Sequence, residues 1–175
     1  MRSTAGQDWY PRPDASESTY TSVSRIMSPM QDTLLLRFAR HGTLLLLAGL
    51  LSGFGIGKFH SHHFGNAAHL TGLIGGFGLI AVGWLWPRLK LGPSWSQCGA
   101  WCFILSMHLS WLGLVLKAAL GSAPDAPLES VGQSGVTWNV ISDSIILVGA
   151  VLSVIATLIT LVGLRPTRQS GGAAR

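Results

Sequence analysis

The chain has 175 residues, 48% of them hydrophobic and only 11% charged, with a mean hydropathy of +0.43; soluble domains carry about 25% charged residues, so an ordinary soluble domain is excluded. The net charge of +5 comes from basic residues that flank apolar runs and form no patch, which argues against a nucleic-acid partner. The two cysteines, Cys98 and Cys102, lie one helical turn apart and read as a pair of buried thiols on one face, not as a disulfide framework.

Residues 1–32 are rich in Ser, Thr, Pro, Asp and Arg, without apolar periodicity, and read as a disordered cytosolic tail. No apolar stretch follows the start, so they do not read as a signal peptide. Residues 33–165 then hold four apolar runs, predicting helices over about 35–57, 67–86, 96–120 and 140–164. Pro87 stops the second, Gly121 and Pro124 follow the third, and Pro166 stops the fourth. Runs of about 17 to 25 residues are long enough to cross a ~30 Å hydrocarbon core. The connection over 121–139 is rich in Gly, Ser and Pro, and is either a plain linker or a cap over a site. Residues 166–175 form a basic tail. The predicted fold is an all-α integral membrane protein, a multi-pass bundle of four transmembrane helices in the lipid bilayer.

Lys and Arg placement gives the orientation. Arg37 and Arg40 precede the apolar part of the first helix, Arg88 and Lys90 join the second to the third, and Arg165, Arg168 and Arg175 follow the fourth. The opposite side has Lys58 and Lys117, with Asp125 and Glu129. The positive-inside bias puts both termini in the cytosol. Trp84, Trp86, Trp95 and Trp101 would form an aromatic belt at that interface and Trp138 at the other.

Ionisable groups inside a span are costly and mark functional candidates. His41 lies at the cytosolic mouth of the first helix, His69 near the start of the second, His108 in the middle of the third, Lys117 near its end, and Asp143 one turn into the fourth. The alternating helix directions put His69, Lys117 and Asp143 in one layer near the non-cytosolic surface, where Asp143 is available to either Lys117 or His69. Each of the three could instead reach the nearby interface on its own. His108 is too deep for that, and is either a hydrogen-bonded core residue or part of a site. His60, His62 and His63 form a tight cluster, read as either a surface metal site or a solvated loop.

Glycines accompany these groups. Gly72, Gly76 and Gly83 follow His69 on its own helix face, and Gly42, Gly49, Gly53 and Gly57 punctuate the first helix. Small residues let membrane helices pack backbone to backbone. Beside His69, the same stripe could instead clear the face of a flat cofactor.

Four segments, RHGTLLLLAGLLSGFG, AHLTGLIGGFGLIAVGWLWPRLKL, SWLGLVLKAALG and LITLVGLRP, resemble the hydroxylaminobenzene mutase family, with styrene oxide isomerase as a more distant relative of the same layout. The resemblance spans about residues 35–166. It implies an intramolecular isomerase acting on a small hydrophobic substrate, either an arylhydroxylamine going to an aminophenol or an aryl epoxide going to a carbonyl compound. It also implies haem b with His69 as axial ligand to the iron, Gly72 and Gly76 beside the porphyrin, and a homo-oligomer, with a trimer as the pattern to expect. Asp143, Lys117, Ser110 and Trp111 are the implied catalytic or substrate-facing residues: Asp143 would orient His69, Lys117 would meet a haem propionate, and Trp111 would help exclude water. The sequence departs from the pattern at Gly75 and Ser110, where relatives carry asparagine, and at Leu114, where the epoxide isomerase carries tyrosine. These departures bear on the substrate more than on the cofactor. They also keep a second class open, a non-enzymatic membrane scaffold or assembly subunit. A transporter would need polar residues through the full depth of the bundle, which the cytosolic half lacks.

Overall fold

The computed structural model describes residues 29–120 and 135–165; the tails and most of the connection between the third and fourth helices lie outside the described residues. Four helices follow one another: α1 (Pro29–Phe54), α2 (His62–Leu85), α3 (Pro93–Leu120) and α4 (Gly135–Gly163). Each is long and apolar enough to cross a membrane. Short 3-10 turns, Ile56–Lys58 and Trp86–Arg88, close the ends of α1 and α2. No strand occurs among the described residues.

The helix ends differ from the sequence expectation for identifiable reasons. α1 begins at Pro29, so residues 29–32, expected in the tail, form its first turn. α2 begins at His62, five residues earlier than apolarity alone suggested. Ser61 caps it there, its hydroxyl accepting from the Phe64 amide at 3.4 Å. Two of the three clustered histidines, His62 and His63, therefore lie on the helix and not in a loop. The buried Ser61 also donates its backbone N–H to the Ala118 carbonyl at 3.2 Å, tying the start of α2 to the end of α3.

α1 and α2 pack through glycine. A Cβ on Gly49 would stand 2.8 Å from the Gly72 backbone, and one on Gly72 would stand 2.5 Å from Gly49 Cα. Gly42 and Gly76 meet in the same way, and Gly83 receives the Phe38 ring. α3 and α4 repeat the device with Gly113 under Ile146 and Gly149 under Ser110. At the end of the bundle bearing Arg88, Phe38 and Trp86 stack with ring centroids 4.9 Å apart, and Trp86 Nε1 donates to Ser96 Oγ at 2.9 Å. This contact anchors a core of Leu34, Phe38, Leu45, Leu79, Ala100 and Ile104. α2 packs against both α1 and α3, whereas α4 packs on α3 and touches neither α1 nor α2. α1 also touches α3, so α1, α2 and α3 pack on one another while α4 packs on α3 alone.

Candidate functional site

His69 is half-buried on the side of α2 that faces α1. Its Nδ1 stands 2.7 Å from the Gly49 carbonyl oxygen. A carbonyl only accepts, so Nδ1 carries a proton, and in the neutral ring Nε2 keeps its lone pair. The ring reaches this carbonyl because the next turn of α1 offers Gly53: a Cβ there would stand 2.6 Å from His69 Nδ1. The two glycines have separate tasks. Gly49 admits the α2 backbone, and Gly53 admits the imidazole. A histidine tied through one nitrogen to a backbone carbonyl, with the other nitrogen available, has the donor arrangement of a metal-ligating histidine.

Lys117 and Asp143 form an ion pair across α3 and α4. The Lys117 ammonium also lies 5.4 Å from the Phe64 ring centroid. The expected layer of three ionisable groups is therefore divided. Lys117 and Asp143 come together, while His69 turns to α1. Asp143 does not orient His69; the Gly49 carbonyl does, because the glycine notch on α1 is the nearer surface to that ring.

The expected cradle for a porphyrin over Gly72 and Gly76 is also corrected. α1 fills it: Gly49 Cα, Gly42 O and Leu46 occupy the space above these two glycines. Their role is helix packing. A cofactor on His69 must approach its Nε2 from elsewhere. Ser110 is corrected too, since its hydroxyl lies against Gly149 of α4 and serves the α3–α4 contact. Trp111 stays close to the candidate site. Its Cδ1 lies 3.1 Å from where a Cβ on Gly72 would be, and its indole N–H is buried with no hydrogen-bond partner among the described residues. Gly75 is buried, and a Cβ there would stand 3.1 Å from Leu45 and 3.3 Å from the Met107 sulfur. Met107 thus lies where a longer side chain at Gly75 would project.

Among the described residues, no three His, Cys, Asp or Glu side chains stand close enough to share a metal ion, the clustered histidines included. Sequence reasoning missed two features. The Gly49 carbonyl as partner of His69 leaves no trace in side-chain chemistry. A grouping of Arg37, His41, Trp101 and His108 was also missed, although the spacing Arg37–His41 was a signal that both lie on one face.

The chain matches the styrene oxide isomerase family over residues 35–165. It is 36% identical over 90 residues to hydroxylaminobenzene mutase HabA of Ectopseudomonas oleovorans, covering 51% of this chain and 67% of that protein. It is 29% identical over 100 residues to hydroxylaminobenzene mutase HabB of the same organism, covering 57% of this chain and 61% of that protein. No solved structure matches the chain.

Proposed function

The chain belongs to the styrene oxide isomerase family, and from that premise we propose that it is a membrane-embedded isomerase that rearranges a small, hydrophobic, oxygen-bearing aromatic substrate. The two mutases it resembles make an arylhydroxylamine the first candidate and an aryl epoxide the second. In either case a bond from oxygen to nitrogen or carbon breaks and the atoms are conserved in the product. The shared difficulty is that an oxygen must be made to leave, and the cation so formed must be kept from water.

The observation that carries this reading is His69 with Nδ1–H held by Gly49 and Nε2 without a hydrogen-bond partner among the described residues. The donor set fits a haem iron at Nε2, and a ferric haem bound there would supply a Lewis acid for the substrate oxygen. The chain's own residues do the rest. Gly49 fixes the imidazole tautomer and Gly53 keeps the ring seated. Trp111, packed beside Gly72, keeps a buried indole N–H without a partner among the described residues. Lys117, held by Asp143, offers a cation for an anionic edge such as a propionate. Leu70, Ile74 and Phe77 on the same helix are exposed in a single chain, a face that either acyl chains or a second copy would cover; in this reading a homo-oligomer closes the site, and a trimer is the first arrangement to test.

The test uses detergent-purified protein. A Soret band that His69→Ala abolishes, together with conversion of phenylhydroxylamine to an aminophenol that the same variant loses, is the expected result. A His69→Ala variant with undiminished turnover would remove His69 from the mechanism, and a colourless active protein would remove the haem.

A further inference from the structure

The seam where α1 meets α3 carries a second set of polar groups. The Arg37 guanidinium carbon lies 5.8 Å from the Trp101 ring centroid. One turn along α1, His41 meets the Trp101 ring at 5.9 Å and the His108 ring at 5.5 Å, edge to face each time. The Nδ1–H of His108 donates to the Ile104 carbonyl at 2.9 Å, so its Nε2 is an acceptor. Among the described residues, neither Arg37 nor Arg40 has a carboxylate within ion-pair distance. On α3, Trp101, Leu105 and Leu112 are exposed and share the His108 face.

A cation on a membrane-spanning helix needs an anion or water. Two arginines beside two imidazoles disfavour a metal ion, so charge complementarity calls for an anion. The seam runs along the flank of two helices long and apolar enough to span a membrane, so the molecule that reaches it is an amphiphile from the bilayer. Depth completes the match. Phe38, next to Arg37, packs on Trp86 at the end of the bundle bearing Arg88 and Lys90, where headgroups lie. His41 sits one turn deeper, ~6 Å along the axis at a rise of ~1.5 Å per residue. A phospholipid presents its groups in that order: a phosphate, then ester carbonyls, then acyl chains.

We propose that the α1/α3 seam binds one anionic phospholipid, with its phosphate on Arg37, an ester carbonyl accepting from the His41 imidazole N–H, and an acyl chain along the exposed Leu105 and Leu112. Arg40 adds charge at the headgroup level. The site is independent of His69 and of the proposed catalysis.

The experiment is native mass spectrometry of the full-length protein, stripped of lipid in a neutral detergent and offered phosphatidylglycerol and phosphatidylcholine in equal amounts. One phosphatidylglycerol adduct in clear excess over phosphatidylcholine is expected. Arg37→Gln should lower it about five-fold, the effect of one basic side chain at a membrane surface. His41→Phe, which keeps the ring contacts and removes the N–H, should lower it less. Lys58→Gln, at the opposite end, should leave it unchanged. Equal retention of the two lipids by the unaltered protein overturns the proposal, as does an unchanged adduct in both the Arg37→Gln and His41→Phe proteins. Displacement of the lipid by millimolar inorganic phosphate also overturns it, in favour of a free-anion site. If Arg37→Gln fails to elute as the folded protein, Arg37→Lys and His41→Phe decide in its place.

Discussion

His69 is positioned by what its neighbours lack. The imidazole lies in a notch that exists because residue 53 has no side chain, and its Nδ1–H is held by a backbone carbonyl that no side-chain substitution can delete. Gly53→Ala therefore tests the notch. A methyl group 2.6 Å from Nδ1 forces the ring off the Gly49 carbonyl, losing a hydrogen bond of about 1 kcal/mol and the tautomer it fixes. Turnover should fall by about ten-fold or more while the protein still folds, and any Soret band should shift or weaken. Turnover and spectrum unchanged in Gly53→Ala would mean that the hydrogen bond does not position the site. The Lys117–Asp143 pair calls for a different measurement. The Lys117 side chain is 13% exposed and that of Asp143 is 59% exposed, so solvent or headgroups screen the pair from one side. Its coupling should be modest, roughly 1 kcal/mol or less. A double-mutant cycle with Lys117→Met and Asp143→Asn, read by thermal unfolding in detergent, measures it. A coupling of several kcal/mol would show that the pair is buried in the functional assembly, as a covering second copy would make it.

At the scale of helices, glycine decides which faces meet. Gly72 and Gly78 lie on one helix with opposite surroundings: a Cβ on Gly72 runs into the Gly49 backbone, whereas nothing stands within 4 Å of one on Gly78. Gly72→Leu should separate α1 from α2 and cost at least the 1–3 kcal/mol typical of overpacking. Gly78→Ala should be neutral or slightly stabilising, because alanine is the better helix former. Thermal unfolding of the two variants in one detergent checks the contrast, and equal melting temperatures would refute the packing role. The same glycines mark the limit of what the sequence makes legible. Four spans, their order and the Pro87 stop follow from apolarity and backbone sterics, both local properties. Whether the Gly72–Gly76 stripe faces a cofactor or a helix depends on the register of α1 against α2, which no local pattern in α2 encodes. His69 was legible as a polar anomaly in an apolar run. Its partner was not, since it is the main chain of another helix. Lys117 and Asp143 were legible as neighbours in depth, but their angular positions, which separate them from His69, emerge only when α3 and α4 pack.

The whole molecule has an electrostatic axis. Among the described residues, Arg37, Arg40, Arg88, Lys90 and Arg165 lie toward one end of the bundle, while the opposite end holds Lys58 and the Lys117–Asp143 pair. A bilayer reads such asymmetry during insertion, because Lys and Arg in short loops are retained on the cytosolic side. The end bearing Arg88 should therefore face the cytosol and the Lys58 turn the other side, with both termini cytosolic. Single cysteines test this in a background where Cys98 and Cys102 are serine. Gly92→Cys and His60→Cys both replace exposed residues, one in the α2–α3 connection and one at the turn before α2. In intact cells, a membrane-impermeant maleimide should label His60→Cys and spare Gly92→Cys until the membrane is opened. The reverse pattern would invert the topology. It would also place the proposed lipid site in the outer leaflet and turn the His69 end toward the cytosol, so this experiment fixes the side from which substrate reaches the site.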